Sequence, residues 1–537
     1  MTDLAKHVQL ATDKCDYERT HSFLLAYIDK EGESEEVLNS LISLQVKFKK
    51  SRLAAKFLLA LCCLIPENKN YVNKLLSLCH QENYWLEAVE LFSTKVAGNS
   101  ADGNNYFNLA YYQKLAGLYS QAIDNYQTAI EKKAGNIEEI YLNLAVLFGD
   151  HLQDYNNAKS CLVSALEHKE NYVPALFNLA GIFEEQGDKI DAEKLYKKII
   201  NIDGNHSLAI ARLLFLSSEN DDISELIKQA KNLAQSNYSY VDEKIVLYYS
   251  LGKVYDQLKK YELAFHYYQL ANNQEKLINQ SYCEKEQELL VDQNIEHFSE
   301  QWLNKLSEGS FSAPIFICGM FRSGSTLIEQ ILAAHPEITA GGENEFFSQK
   351  VKSLLSPYPL SLNNIELNDI EKWRGEYQEK IKLMFPNAKL ITDKRPDNIH
   401  YLGLIKTVFP NAKIVFTTRD IRDNSLSLYF QQLSKEFNYA NDINQIIHHS
   451  QQQKRLMTHW KKLFPKDIIE VSYDELVDSP KPSIAKLLNF LKLDWHNDCL
   501  EFHQVQNNVK TVSLWQVRQP LYKASSGRWK NYKEKYK

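Results

Sequence analysis

The stretch FICGMFRSGSTLIEQIL at 316–332 sets glycines, an arginine and hydroxyls at a spacing suited to binding phosphate. Gly319 and Gly324 bracket four residues, and Thr326 stands where a nucleoside-triphosphatase loop carries its magnesium-binding hydroxyl. The pattern G-x-x-x-x-G-K-[ST] requires lysine at the remaining position, and here that residue is Ser325. Such a loop can still hold an anion. Backbone N–H groups of residues 322–327 and the N-terminus of the following helix supply donors, and Arg322 adds a fixed charge with a planar fork. The ligand expected has less charge to neutralise than a magnesium triphosphate. A sulfuryl group on a nucleotide 5′-phosphate fits that description.

The elements around the loop must hold it on a rigid frame. Ile315–Cys318 is short, apolar and followed by glycine, which predicts a buried parallel strand. Leu327, Ile328, Ile331 and Leu332 follow helical spacing until His335-Pro336 ends the run. Three further strands share one device: FPNAKLIT from Phe385, FPNAKIVFTT from Phe409 and FPKDIIEVS from Phe464. Each apolar run stops at polar residues, respectively Asp393-Lys394-Arg395, Arg419-Asp420 and Tyr473-Asp474-Glu475. Ligands of open parallel sheets bind outside the carboxyl ends of the strands. Arg322, Lys394, Arg419 and Tyr473 are therefore expected on one rim. Solvated charges at ordinary strand ends would account for any one of them, and less well for all four.

The first half of the chain repeats itself. Asn-Leu-Ala recurs at Asn108–Ala110, Asn143–Ala145 and Asn178–Ala180, 35 residues apart, with second alanines at Ala122, Ala158 and Ala192. Tyr126, Leu162 and Tyr196 each follow the second alanine by four residues, one turn along the same helix face. LGKVYDQLKKYELAFHYYQLAN (251–272) reads as a further unit, with Gly252, Tyr261 and Ala264 in the corresponding places. Residues 36–97 keep helical periodicity without clear repeats and read as degenerate units. The period and paired small residues resemble the tetratricopeptide repeat. That resemblance implies stacked helix pairs whose concave face grips a peptide or partner protein, with a scaffold arm as the competing role.

Composition narrows the remaining classes. The 537 residues carry a net charge of −6, which argues against general nucleic-acid affinity. The eight cysteines show no C-x-x-C spacing, and Cys62-Cys63 lie in an apolar helical run that predicts packing. No apolar signal core or 18-residue apolar run occurs, so a cytoplasmic protein without a membrane span is expected. No His, Cys or carboxylate spacing predicts a metal site, and His448-His449, on a Gln-rich helix, are expected at the surface.

GMFRSGSTL resembles the 5′-phosphosulfate loop of the P-loop sulfotransferases, written P-R-S-G-[TS]-T-L, with Phe321 in place of the proline. RDIRDNSLS resembles their 3′-phosphate motif and puts its arginine and serine at Arg419 and Ser427. YKASSGRWKNY resembles the loop that closes over the nucleotide, placing Ser526, Gly527 and Trp529 there. Together with the preceding repeats, the chain resembles a bacterial type in which tetratricopeptide units precede a sulfotransferase domain. The resemblance implies 3′-phosphoadenosine 5′-phosphosulfate (PAPS) as donor, no metal, and donor contacts from Arg322, Ser323, Gly324, Ser325, Thr326 and Leu327, with Arg419, Ser427 and Tyr473 on the same rim. Glu343, in TAGGENEFF, lies where related protein-tyrosine sulfotransferases carry a catalytic glutamate, and Glu345 is its nearest competitor. Lys394 matches the lysine those relatives direct at the sulfuryl group, its rival role being a salt bridge to Asp393 or Asp397. Arg322 would resist charge build-up on the leaving phosphate.

The organisation expected is multidomain: an all-α tetratricopeptide-repeat solenoid over 1–280, a connecting helix over 281–310, and an α/β P-loop domain with a central parallel sheet over 311–537. The function expected is sulfuryl transfer from PAPS to an acceptor hydroxyl, with a peptide or protein tyrosine among the acceptors. A nucleotide kinase or NTPase with Asp420 on magnesium is one alternative, against which Ser325 and the Arg419–Ser427 pair stand. A non-catalytic repeat scaffold is the other, and the intact set of Arg322, Glu343 and Lys394 opposes it.

Overall fold

The computed structural model describes residues 17–98, 102–217, 222–236, 240–303, 313–505, 514–523 and 525–536. The chain forms two compact units, Met1–Asn178 and Leu179–Lys537.

The first unit is helical. Residues 36–97, read as degenerate repeats, fold as the helices Glu35–Lys47, Ser51–Leu64, Lys69–Glu82 and Trp85–Ala97. In this run Cys62 is buried and Cys63 is exposed, so only the first packs as expected. The regular repeats follow, and the small residues sit where two helices must approach. Ala110, Ala122 and Ala158 have no exposed surface, and Tyr126 and Leu162 fill the space one turn beyond the second alanine. Buried alanine lets the helix backbones close up, while the larger residue fills the layer between pairs.

The second unit combines the later repeat helices with a sheet. Ala180, Ala192 and Tyr196 repeat the same burial. The last repeat pair consists of α1 (Val241–Gln257) and α2 (Tyr261–Ile278). Beyond it lie β1 (Ile315–Gly319), α3 (Ser325–Ala333), β2 (Ile338–Thr339), β3 (Leu390–Asp393), β4 (Lys413–Thr418), α4 (Ile421–Tyr429), α5 (Ile443–Leu463) and β5 (Ile468–Ser472). The five strands are parallel in the order β2-β3-β1-β4-β5, with Cys318 opposite Phe416 and Ile315 opposite Thr392. β1 is buried along its whole length, as a strand covered on both faces must be. The short edge strand β2 carries no apolar run of its own and was not foreseen.

The three Phe-Pro turns are one structure used three times. Phe385, Phe409 and Phe464 each end a helix, their N–H groups donating to the carbonyls of Ile381, Ile405 and Trp460. The following proline cannot continue the helix. Each Phe carbonyl then accepts from the residue three positions on (Ala388, Ala412 or Asp467), which turns the chain into its strand.

The α1–α2 pair shares a core with the sheet domain. Tyr255 and Tyr268 cluster with Tyr429, Phe430, Tyr439 and Tyr532, and the Tyr268 ring stacks on Phe430 at 3.8 Å. A buried polar network runs through this layer. The Asn272 amide donates to the Tyr429 carbonyl at 2.8 Å, Asn441 donates to Asn272 at 3.1 Å, and Asn441 and Tyr249 both donate to Glu275. Burial holds the Glu275 carboxyl above its usual value, an effect the donors around it offset only in part.

The surface placement expected for His448-His449 is corrected. His449 is buried and stacks on Tyr439 at 3.8 Å, and burial holds its imidazole well below the usual value. His448 is half-buried beside the Tyr282 hydroxyl at 3.0 Å. A Gln-rich helix reads as solvated, but Gln452 and Gln453 are buried too, so α5 presents a polar face to the interior.

Gly252 shows how tightly this layer is packed. A Cβ there would lie 2.7 Å from the Tyr268 ring, which stacking on Phe430 keeps from moving. Gly252→Ala should therefore destabilise the second unit by about 1–3 kcal/mol through overpacking, read as a lower urea midpoint. A stability equal to wild type would show that the aromatic layer yields.

Candidate active site

β1 and β4 are neighbours whose connections leave in opposite directions, β1 toward β2 and β4 toward β5. That divergence opens a crevice at their carboxyl ends. The loop 319–324 fills its floor. Gly319 has φ +146°, and a Cβ there would lie 2.4 Å from the Thr417 carbonyl oxygen on β4. Ser323 is buried, donates to the Met320 carbonyl at 2.6 Å and meets the Thr417 hydroxyl at 2.6 Å. Thr417 in turn donates to the Cys318 carbonyl at 3.2 Å. Ser323 thus braces the loop from beneath, with its side chain on β4.

Gly324 has φ +104° and faces Tyr473, whose ring carbon would lie 2.8 Å from an added Cβ. Arg322 takes φ +66°, a conformation rare outside glycine that costs roughly 1–3 kcal/mol. Its Nε donates to the Ser427 hydroxyl at 3.0 Å and an Nη to Gln516 at 2.8 Å. Burial and the neighbouring Arg419 lower the Arg322 guanidinium to about 10.

Arg419 follows β4. It donates to the Arg322 carbonyl at 3.1 Å and the Ser525 carbonyl at 2.6 Å, and its guanidinium lies 4.7 Å from the Tyr473 ring centroid. Its Nε is buried without a hydrogen-bond partner among the described residues. Loop, strand ends and C-terminal residues enclose a cavity of about 280 Å³. Gly324, Ser325, Thr326 and Leu327 line one wall, and Arg419, Ser427 and Tyr473 line another. Among the described lining residues three are cationic, Arg322, Arg419 and Arg528, and one is a carboxylate, Glu343.

Glu343 reaches the cavity through a glycine approach pinned from behind. The Gly342 N–H donates to the buried carboxylate of Glu329 at 3.1 Å, the Thr392 hydroxyl donates to the same oxygen at 2.7 Å, and the Gly341 N–H donates to Thr392 at 3.0 Å. Position 341 allows no side chain, since a Cβ would lie 2.1 Å from the Thr392 carbonyl oxygen. One Glu343 oxygen accepts from Lys394 at 2.5 Å, and Lys394 is almost wholly buried. Lys394 therefore pairs with Glu343, not with Asp393 or Asp397. Glu345 lies outside the cavity lining and receives Arg395 at 3.1 Å. Burial would raise its carboxyl, but Arg395, Gln349 and Lys352 together hold it below the ordinary value.

The C-terminal residues close the rim. The N–H groups of Gly527 and Trp529 donate to the two oxygens of Asp423 at 2.5 and 2.8 Å, Ser526 donates to Asp474, and Arg422 stacks over Trp529 at 3.9 Å. Ser526, Gly527 and Trp529 fasten this segment, while Ser525, Arg528 and Tyr522 face the cavity. Sequence reasoning missed Asp423 and Glu329. Asp423 had a signal, since it lies four residues before Ser427, one turn along the same face of a helix.

Residues 314–497 match a family model described as the sulfotransferase family. Residues 173–206 and 245–273 match the tetratricopeptide repeat. The chain carries a sulfotransferase domain preceded by tetratricopeptide repeats. It is similar over 440 residues, at 28% identity, to an uncharacterized protein of Aquifex aeolicus; the match covers 78% of this chain and 56% of that relative, so the chain spans little more than half its length. A Caenorhabditis briggsae protein, provisionally named a protein-tyrosine sulfotransferase, is 23% identical over 238 residues, 41% of this chain and 81% of the relative. Among solved structures, a sulfotransferase domain from the curacin biosynthetic pathway aligns with 41% of this chain and 92% of its own, at 17% identity and a TM-score of 0.33. No helix among the described residues is long and apolar enough to cross a membrane.

Asp393, next to Lys394, lends this sulfotransferase domain a testable pH dependence. It is fully buried, accepts from Tyr377 at 2.8 Å and Asn398 at 3.0 Å, and burial pushes its carboxyl up to about 7. Its value in the fold lies above the unfolded one, so the native state holds the proton more tightly. The resulting stability is complete below about pH 4 and is lost as pH rises through 7. Asp393→Asn should flatten that loss, so the gap between urea midpoints at about pH 5 and about pH 8 shrinks relative to wild type. An unchanged gap would assign the pH dependence elsewhere.

Proposed function

We propose that the chain transfers a sulfuryl group from PAPS to an acceptor hydroxyl. The observation that carries this reading is the charge balance of the cavity: three guanidinium groups and one carboxylate around a glycine loop, with a buried Arg419 donor left unmatched. An unmatched buried donor costs about 1–3 kcal/mol, which an anion in the cavity relieves. The residues suit the donor. The loop 322–327 would hold the 5′-phosphosulfate, Arg419 and Ser427 the 3′-phosphate beside Tyr473, and the segment fastened by Ser526, Gly527 and Trp529 would close over it.

The donor supplies a sulfur–oxygen bond to its 5′-phosphate that breaks as the acceptor oxygen bonds to sulfur, leaving 3′-phosphoadenosine 5′-phosphate. Glu343 is the base that accepts the acceptor's proton. Its second oxygen has no hydrogen-bond partner among the described residues, while Lys394 fixes the first. Lys394 and Arg322 present positive charge where the sulfuryl oxygens and the leaving phosphate gather negative charge, so positioning and electrostatics supply most of the rate. The tetratricopeptide repeats support recruitment of an acceptor peptide or protein, with a tyrosine hydroxyl as one acceptor. We place this work in the cytoplasm. We divide the chain functionally into repeats over 1–280, a connection over 281–310 and a catalytic domain over 311–537.

Arg419→Ala should weaken binding of 3′-phosphoadenosine 5′-phosphate by about 1.5–3 kcal/mol, measured by calorimetry. Adenosine 5′-phosphosulfate, which lacks the 3′-phosphate, should bind mutant and wild type almost equally. Equal losses for both ligands would make Arg419 a structural residue only.

Glu343→Gln should lower the transfer rate roughly 10²–10⁴-fold with nucleotide affinity nearly intact. Glu345→Gln, in a residue held by Arg395 outside the cavity, should have a much smaller effect. The reverse order of the two rates would move the base to Glu345.

A further inference from the structure

The C-terminal segment over the cavity is fastened on two sides. Its inner side belongs to the sulfotransferase domain, through Asp423, Asp474 and Arg419. Its outer side belongs to the repeats. Arg528, which lines the cavity, pairs with Asp256 in the last turn of α1, and the Tyr532 hydroxyl donates to the other oxygen of the same carboxylate. The Asp256 side chain is 15% exposed and that of Arg528 31%. Tyr532 is buried among Tyr261, Phe265 and Phe430, and the Arg528 guanidinium lies 5.3 Å from the Phe430 ring centroid. Farther up the segment, Arg518 donates to the Glu185 carbonyl at 3.0 Å, beyond the Asn-Leu-Ala of the third repeat.

We infer that Asp256, a residue of the tetratricopeptide repeats, is a positioning residue for donor binding: it holds Arg528 and Tyr532 so that the C-terminal strap closes the nucleotide cavity. This deepens, and rests on, the sulfotransferase reading given above. The physical case is one of geometry and charge. A single carboxylate receives a guanidinium and a phenol hydroxyl, one on each oxygen, which fixes both the direction and the turn of the strap. Without it, a largely desolvated Arg528 would lose its counter-charge and swing toward solvent. The strap would then keep its inner fastening and the Arg518 contact, but Arg528 and the residues beside it would be held less firmly over the cavity. The repeats thereby brace a wall of the active site from outside, in addition to any surface for an acceptor.

The test uses the full chain and four variants, Asp256→Ala, Asp256→Asn, Asp256→Glu and Tyr532→Phe, with circular dichroism to check folding. Binding of 3′-phosphoadenosine 5′-phosphate should weaken about tenfold in Asp256→Ala, and less in Asp256→Asn and Tyr532→Phe, each of which keeps part of the hydrogen bonding. Asp256→Glu restores the carboxylate and should recover most of the affinity, which a merely packed residue would not do. Trypsin cleavage after Lys523 and Arg528 should be faster in Asp256→Ala without nucleotide, and saturating nucleotide should suppress it. Wild-type affinity and cleavage rate in a folded Asp256→Ala would overturn the inference. If Asp256→Ala does not fold, Tyr532→Phe and Asp256→Asn decide by the same measurements. If the wild type itself fails to bind the 3′-phosphorylated nucleotide, the sulfotransferase reading falls, and the strap is then judged by trypsin alone: faster cleavage upholds it and unchanged cleavage overturns it.

Discussion

The loop after β1 must pass within van der Waals contact of the backbone of β4. At position 319 a side chain would collide with the Thr417 carbonyl, and Ser323 then locks to the Thr417 hydroxyl. Everything else at the site depends on this closeness. Because the loop is pinned to β4, the residue that follows β4, Arg419, can reach the carbonyl of Arg322. Because Arg419 is held there, it can receive the C-terminal segment through Ser525. A loop standing even slightly away from β4 would leave three arginines on independent supports.

That arrangement is costly without an anion. Arg322 occupies a left-handed backbone conformation, and its charge is disfavoured by burial and by Arg419. Strain and like charge gathered at one cavity are common where a ligand later compensates them. An anion bound only by the folded state would then also stabilise it, by mass action. The carboxylate side differs: buried Glu329 holds the Gly342 N–H and the Thr392 hydroxyl beneath the glycine approach, and buried Lys394 pairs with the exposed Glu343, so the base candidate is placed before any ligand arrives.

Features of the sequence that depend on local pattern were legible. The glycine loop, four of the five strands and the buried alanines of the repeats follow from period, turn chemistry and short spacing. Of the four residues expected at strand ends on one rim, Arg322, Arg419 and Tyr473 line one cavity together with Glu343 and Ser427, and Lys394 meets that cavity through Glu343. Long-range pairing was not legible. Asp256 and Arg528 are 272 residues apart, and nothing in YDQLKK or SGRWKN tells either of the other. Ser323 was read as a ligand contact because its position in the motif gives no sign that its hydroxyl points into β4. His449 was misjudged for a related reason: a window of polar residues does not reveal that a tyrosine from another segment covers one side of the helix. Glu343 and Glu345 look alike in the sequence, and only the fold shows that Arg395 holds Glu345 outside the cavity that Glu343 lines.

The strap's place in the chain has a consequence for the order of assembly. Chains emerge from the ribosome N-terminus first, and their parts begin to fold in that order. The repeats, the glycine loop, β4 and the glutamate–lysine pair are all made before residues 514–536. Until those residues arrive, Asp256 has no cation, and the faces of Tyr261, Phe265 and Phe430 that will cover Tyr532 lie open to water. The cavity therefore exists as a half-built cleft during synthesis and is enclosed only as its last wall is laid down.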